Sequence, residues 1–134
     1  GDAEATGREL AAKLRSLPTG FHIWGGETTV RLPDEPGRGG RNQHLALAAA
    51  LLLAGVDEIC FLALGTDGSD GPTEDAGALV DGGTIRRGEL AGLDAAYCLR
   101  NADSGRFLQA SGDLVSTGPT GTNVRDLVIA WKTG

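Results

Sequence analysis

Ile59-Cys60-Phe61-Leu62-Ala63-Leu64-Gly65-Thr66-Asp67-Gly68-Ser69-Asp70-Gly71-Pro72-Thr73-Glu74-Asp75 joins a short apolar run to a loop of glycines and acids. The run predicts a buried strand bounded by turn residues. A strand that opens into Gly and Asp sets carboxylates at the end of a sheet, the edge where open α/β sheets bind ligands. Asp67 and Asp70 lie three positions apart, on a loop whose glycines let backbone approach closely. They suit a hydrated cation or a hydroxyl proton. A solvated turn is the competing reading, because Gly and Asp dominate turns generally.

Upstream, Gly37-Arg38-Gly39-Gly40-Arg41-Asn42-Gln43-His44 leads into the Leu/Ala run Leu45–Ala54. That composition predicts a helix from about Arg41 to Ala54, with Gly55 as its stop. Leu10, Leu14 and Leu17 share helical spacing and predict a helix over Asp2–Ser16, ended by Pro18-Thr19-Gly20. Phe21–Trp24 and Thr28–Leu32 read as short strands around Gly25-Gly26, paired as a hairpin. Ala78–Asp81 reads as a strand, and Leu114-Val115 as a short extended piece. Thr84–Ala91, Asp94–Asn101 and Ser104–Gln109 read as short helices, with Asp94 and Ser104 as N-caps. Leu127–Trp131 is a closing strand. The alternation predicts one α/β domain over residues 1–134, a layered, mixed or mostly parallel sheet flanked by helices.

The 134 residues suffice for one domain that buries roughly two thirds of its unfolded surface. The 22 glycines fall in loops and follow no repeat, which excludes a collagen-like chain. A net charge of −6 with no Lys/Arg cluster excludes a nucleic-acid platform. The longest apolar run is half the length that spans a membrane, and no signal peptide is visible. Cys60 and Cys98 are distant and predict free thiols, in keeping with a reducing cytoplasm. Methionine is absent, even at position 1. The expectation is therefore a fragment of a longer polypeptide.

Arg41 is the leading candidate ligand for an anion. It follows two glycines and opens a helix whose free N–H groups and dipole favour negative charge. A guanidinium grips a carboxylate or phosphate by two parallel bonds. Asn42 and Gln43 add donors, and Arg38 is near enough in sequence to join. The Ser116–Asn123 loop offers backbone N–H groups and the polar side chains of Thr117, Thr120, Thr122 and Asn123 to anionic oxygens. It lacks the G-K-[ST] of a Walker loop, and no GxGxxG marks a dinucleotide site. The acidic loop lacks the ligand pattern of an EF-hand. Glu27 could contribute a carboxylate, while His22 reads as structural. This set suits phosphoryl transfer, in which positioning and charge neutralisation supply most of the catalysis.

The ordered series GGETTV (25–30), GRGGRNQ (37–43), GTDGSDGPTEDAGALVDG (65–82) and TGPTGTNVRDL (117–127) resembles the MOFRL domain. This is the C-terminal domain of class II glycerate kinases, a family also named for hydroxypyruvate reductase. The resemblance covers essentially the whole chain. It implies a two-domain α/β enzyme that uses ATP and magnesium to make 2-phosphoglycerate from D-glycerate, with the active site in the cleft between domains. Residues 1–134 would be its C-terminal part, and the partner wall an N-terminal domain of the same polypeptide that supplies a lysine. Arg41 stands where the family's substrate-binding arginine lies. His44 departs from the acidic residue common after the NQ of that motif. The expected assignments are Arg41 on the glycerate carboxylate or the transferring phosphate, with Arg38, Asn42 and Gln43 beside it. Asp67 and Asp70 would hold magnesium or take the hydroxyl proton, and Thr117, Thr120, Thr122 and Asn123 would line the site. A homo-oligomer is compatible with the sequence. The alternatives are an NAD(P)H-dependent hydroxypyruvate reductase and a non-catalytic module that binds a small acid.

Overall fold

A computed structural model describes residues 2–134. Ten elements follow in order: α1 (Ala3–Leu14), β1 (Gly20–Gly26), α2 (Arg41–Leu53), β2 (Ile59–Gly65), β3 (Gly77–Asp81), α3 (Thr84–Leu90), α4 (Ala95–Arg100), α5 (Ser104–Ser111), β4 (Leu114–Val115) and β5 (Asp126–Lys132). The strands form a single sheet in the order β1-β5-β2-β3-β4.

Every pairing in that sheet is antiparallel, which corrects the mostly parallel arrangement expected from the sequence. The cause lies in β5. β1 and β2 do run in the same direction and are joined through α2, as in a parallel crossover. The last strand then inserts between them and runs against both. The expected hairpin is also absent. β1 pairs with β5, and Thr29 forms a bridge to Asp2. Ser104 opens α5 as its first helical residue, and Asp103 occupies the cap position. Asp94 caps α4 as expected, accepting from the Ala96 N–H at 3.0 Å.

The helices lie on one face of the sheet. Ile59, Phe61 and Ala63 of β2, Val80 of β3, and Val128 and Ala130 of β5 are buried with the Leu/Ala side chains of α2. α2 is buried nearly all round because α1 covers its outer side. Gly7 permits that contact: a Cβ there would stand 2.2 Å from the Leu45 carbonyl oxygen. The opposite face is apolar and open. Phe21 and Trp131 stack upon it with ring centroids 5.5 Å apart, and Ile23 and Leu79 are exposed there. Burial of alternate residues along β2 and β5 places one set in the core and leaves the other half-covered. Cys60 and Cys98 are free thiols. No helix among the described residues is long and apolar enough to cross a membrane.

Candidate active site

The chemistry gathers at the edge where β1 and β2 end and β5 begins. Asp126, the first residue of β5, stands in register with Gly26 on one side and Gly65 on the other. Arg41, the first residue of α2, reaches its carboxylate. Its Nε donates to Asp126 Oδ2 at 2.5 Å and its Nη2 to Oδ1 at 3.1 Å. Glu27 Oε1, on the loop after β1, approaches Nη2 at 3.2 Å. The Asp126 hydrogen bond is the main force raising the Arg41 pKa, with Asp126, Glu27 and Asp70 adding Coulombic support. No hydrogen bond among the described residues occupies Nη1.

Asp67 and Asp70 part company within the acidic loop. Asp70 is buried, and its carboxylate caps α2 from outside the helix. Oδ1 accepts from the Asn42 N–H at 2.9 Å and from Asn42 Nδ2 at 3.2 Å, and Oδ2 accepts from the Gln43 N–H at 2.8 Å. The helix needs this acceptor because its own cap residue, Gly40, has no side chain. Burial pushes the Asp70 carboxyl above the ordinary range, against the downward pull of the N–H donors. Asp67 is exposed. Its Oδ1 accepts from the Ser69 N–H at 2.9 Å and hydroxyl at 3.0 Å, and these bonds lower its pKa, with a further contribution from the Arg41 charge. Asp67 therefore presents an ionised carboxylate to solvent on the edge that carries Arg41, while Asp70 faces inward.

The loop before β5 docks onto the acidic loop. Thr120 Oγ1 donates to the Thr66 carbonyl at 2.6 Å, and Thr66 Oγ1 donates to the Arg125 carbonyl at 2.6 Å. A Cβ at Gly68, where φ is +91°, would lie 2.1 Å from Gly118 O. Thr117 Oγ1 bonds the Gly118 carbonyl, the Thr122 N–H donates to Thr120 Oγ1, and Asn123 Oδ1 accepts from the Arg125 N–H. These groups hold the loop's shape, and its surface is exposed beside Asp67.

The Arg38 side chain turns away from Arg41. Its Nη1 bonds Gln109 Oε1 at 2.8 Å, and its Nη2 lies 4.0 Å from Asp75. The Gln43 side chain is buried and bonds Thr73 through Nε2. Asn42 and Gln43 thus face the acidic loop's anchor and are not exposed at the site. A cleft of about 340 Å³ opens on the other flank of Arg41, walled by Thr28, Leu32, Gly40, His44, Pro72 and Ser104 among others. Burial lowers the His44 pKa. No group of three or more His, Cys, Asp or Glu among the described residues is arranged to hold a metal.

Residues 20–126 match the MOFRL family model. The chain belongs to the MOFRL family. Among its relatives, the D-glycerate 2-kinase of Thermotoga maritima is 50% identical over 107 residues, covering 80% of this chain and 25% of the kinase. An Agrobacterium vitis protein named "Putative hydroxypyruvate reductase" is 41% identical over 136 residues, covering 95% of this chain and 31% of that protein. The crystal structure of the Thermotoga maritima glycerate kinase superimposes with a TM-score of 0.92 at 44% identity, covering 98% of this chain and 34% of the kinase. The MOFRL chain thus spans about a quarter to a third of the relatives it matches.

Asp126, the acid that holds Arg41, is absent from the sequence-derived candidates. The available signal was its place directly before the apolar run Leu127–Trp131, the same strand-mouth position that drew attention to the acidic loop after β2.

Proposed function

We propose that this chain is the C-terminal domain of an ATP-dependent glycerate 2-kinase, which phosphorylates D-glycerate to 2-phosphoglycerate in a cleft shared with an N-terminal domain of the same polypeptide. The observation that carries this reading is the single sheet edge on which a fixed guanidinium, an exposed carboxylate and a hydroxyl-rich loop stand together. Kinase-named relatives at 40–50% identity support it.

Phosphoryl transfer needs its oxygens aligned and its charge neutralised. Arg41, held from behind by Asp126, offers Nη1 to the glycerate carboxylate or to the phosphate in transit. Asp67 would supply a single carboxylate to magnesium, an ion that keeps several waters and takes one or two carboxylates besides the nucleotide phosphates. Magnesium-bound ATP supplies the γ-phosphoryl group and balances its charge. Asp67 would hold that ion or accept the proton of the substrate 2-hydroxyl. Asp70 fixes the start of α2, and through it the origin of the Arg41 side chain. The 117–123 loop presents positive-φ glycines at 118 and 121 beside exposed threonines, a shape that admits phosphate oxygens to the backbone N–H groups. A cytoplasmic location accords with these substrates.

The test is kinetic, on the intact polypeptide with D-glycerate, ATP and magnesium. Arg41→Ala is expected to lower kcat/KM at least a hundredfold, and Asp67→Asn to weaken the dependence on magnesium. Near-normal kinetics for both would refute the assignment. The name carried by the Agrobacterium vitis relative favours a hydroxypyruvate reductase as the second reading. Consumption of NAD(P)H in place of ATP would establish it.

A further inference from the structure

Two acids share the Arg41 guanidinium, and their settings differ. The Asp126 side chain is 9% exposed and takes two parallel bonds, from Nε and Nη2. The Glu27 side chain is 55% exposed and reaches Nη2 alone, at 3.2 Å. Asp126 belongs to a strand hydrogen-bonded on both sides. Glu27 sits just beyond the end of β1, on the loop that goes on to wall the 340 Å³ cleft.

We infer that Asp126 is a positioning residue for Arg41 and that Glu27 is its displaceable counter-ion, a carboxylate that stands in for the anionic group of the substrate until the substrate arrives. The inference rests on the reading of Arg41 as the anion-binding residue. The two-bond fork fixes the guanidinium plane, because two parallel bonds to one carboxylate resist the rotation that a single bond allows. Removing the buried partner leaves the guanidinium to Glu27 alone and free to turn. An exposed pair contributes little net free energy, since solvent screens it and two long side chains must be ordered to form it. Glu27 therefore neutralises Arg41 in the free protein and yields to a better-placed carboxylate or phosphate. No covalent step is involved.

Opposite effects on one parameter follow. In the intact polypeptide, Asp126→Asn keeps the volume but loses the charge and one acceptor, so KM for D-glycerate is expected to rise about tenfold or more. The KM for ATP should change less than about threefold. Glu27→Gln removes the competitor, and KM for D-glycerate is expected to fall about two- to fivefold. A merely structural role for both acids would move the two variants in the same direction. Thermal unfolding of each variant checks that it is folded. If Asp126→Asn does not fold, the Glu27→Gln measurement decides alone, and an unchanged or raised KM overturns the inference. A folded Asp126→Asn with unaltered KM overturns it equally. Wild-type protein that fails to phosphorylate glycerate would instead overturn the kinase reading, so the two failures are distinct.

Discussion

Replacing Asp70 by Ala tests how the site is held together, and its cost can be worked from the geometry. The carboxylate accepts from two backbone N–H groups, those of Asn42 and Gln43, and from the Asn42 amide. Alanine leaves all three donors without an acceptor in a pocket where Asp70 itself is only 1% exposed. Each buried unsatisfied group costs about 1–3 kcal/mol. Relief from burying a charge offsets part of this, so the net loss is about 3 kcal/mol. For 134 residues, 1 kcal/mol shifts Tm by about 3.6 °C, which predicts a fall near 10 °C. Asp70→Asn keeps the volume and one acceptor and should lose about half as much. Urea unfolding followed by circular dichroism, with unchanged m, measures both. A loss below about 0.5 kcal/mol for Asp70→Ala would mean the helix start finds other acceptors. The capping account would then fail.

Three further outcomes follow from the same structure. Burial raises the Asp70 pKa in the folded state, so the native protein binds this proton more tightly than the unfolded chain does. Stability should therefore fall as pH rises from the ordinary carboxylate range through the shifted value. Asp70→Asn should lack that component, and equal pH slopes would contradict it. His44 is shifted the other way by burial, so the stability due to its neutral form is present above the ordinary histidine value and is lost as pH falls from there through the lower folded-state value. Proton NMR should find His44 titrating below free histidine, and a normal or raised value would be inconsistent. Gly7→Ala should destabilise by about 2 kcal/mol despite alanine's better helix propensity, because its Cβ would meet the Leu45 carbonyl at 2.2 Å. A gain in urea midpoint would show that α1 and α2 can part at no cost.

The local elements were legible because each carries its own signal. The Leu/Ala run gave α2 within a residue, the apolar runs gave β2 and β5, and Asp94 marked the start of α4. Strand direction was not legible. A helix between two apolar runs implies that they run the same way, which β1 and β2 do, yet nothing local announces that β5 inserts between them. Spacing paired Asp67 with Asp70 as equals, but it could not tell which faces a helix start nearly thirty residues upstream. Gly40 held that information: a helix opening on a residue without a side chain needs its acceptor from elsewhere. Arg38 followed the same logic as Arg41 in sequence. It diverged because its backbone is tied to α5, through its N–H to Asp103 and its carbonyl from Gly105. Asp126 was overlooked because a lone acid before a strand looks like an ordinary turn residue until the register sets it between two glycines.

The central claim is that Arg41, Asp67 and the 117–123 loop form one wall of a site for phosphoryl transfer to glycerate. Phosphorus NMR of the product made by the intact polypeptide from D-glycerate, ATP and magnesium tests it most directly. The account predicts 2-phosphoglycerate, formed by the wild type and lost with Arg41→Ala. No phosphorylated product, together with NAD(P)H-dependent reduction of hydroxypyruvate that survives Arg41→Ala, would contradict it.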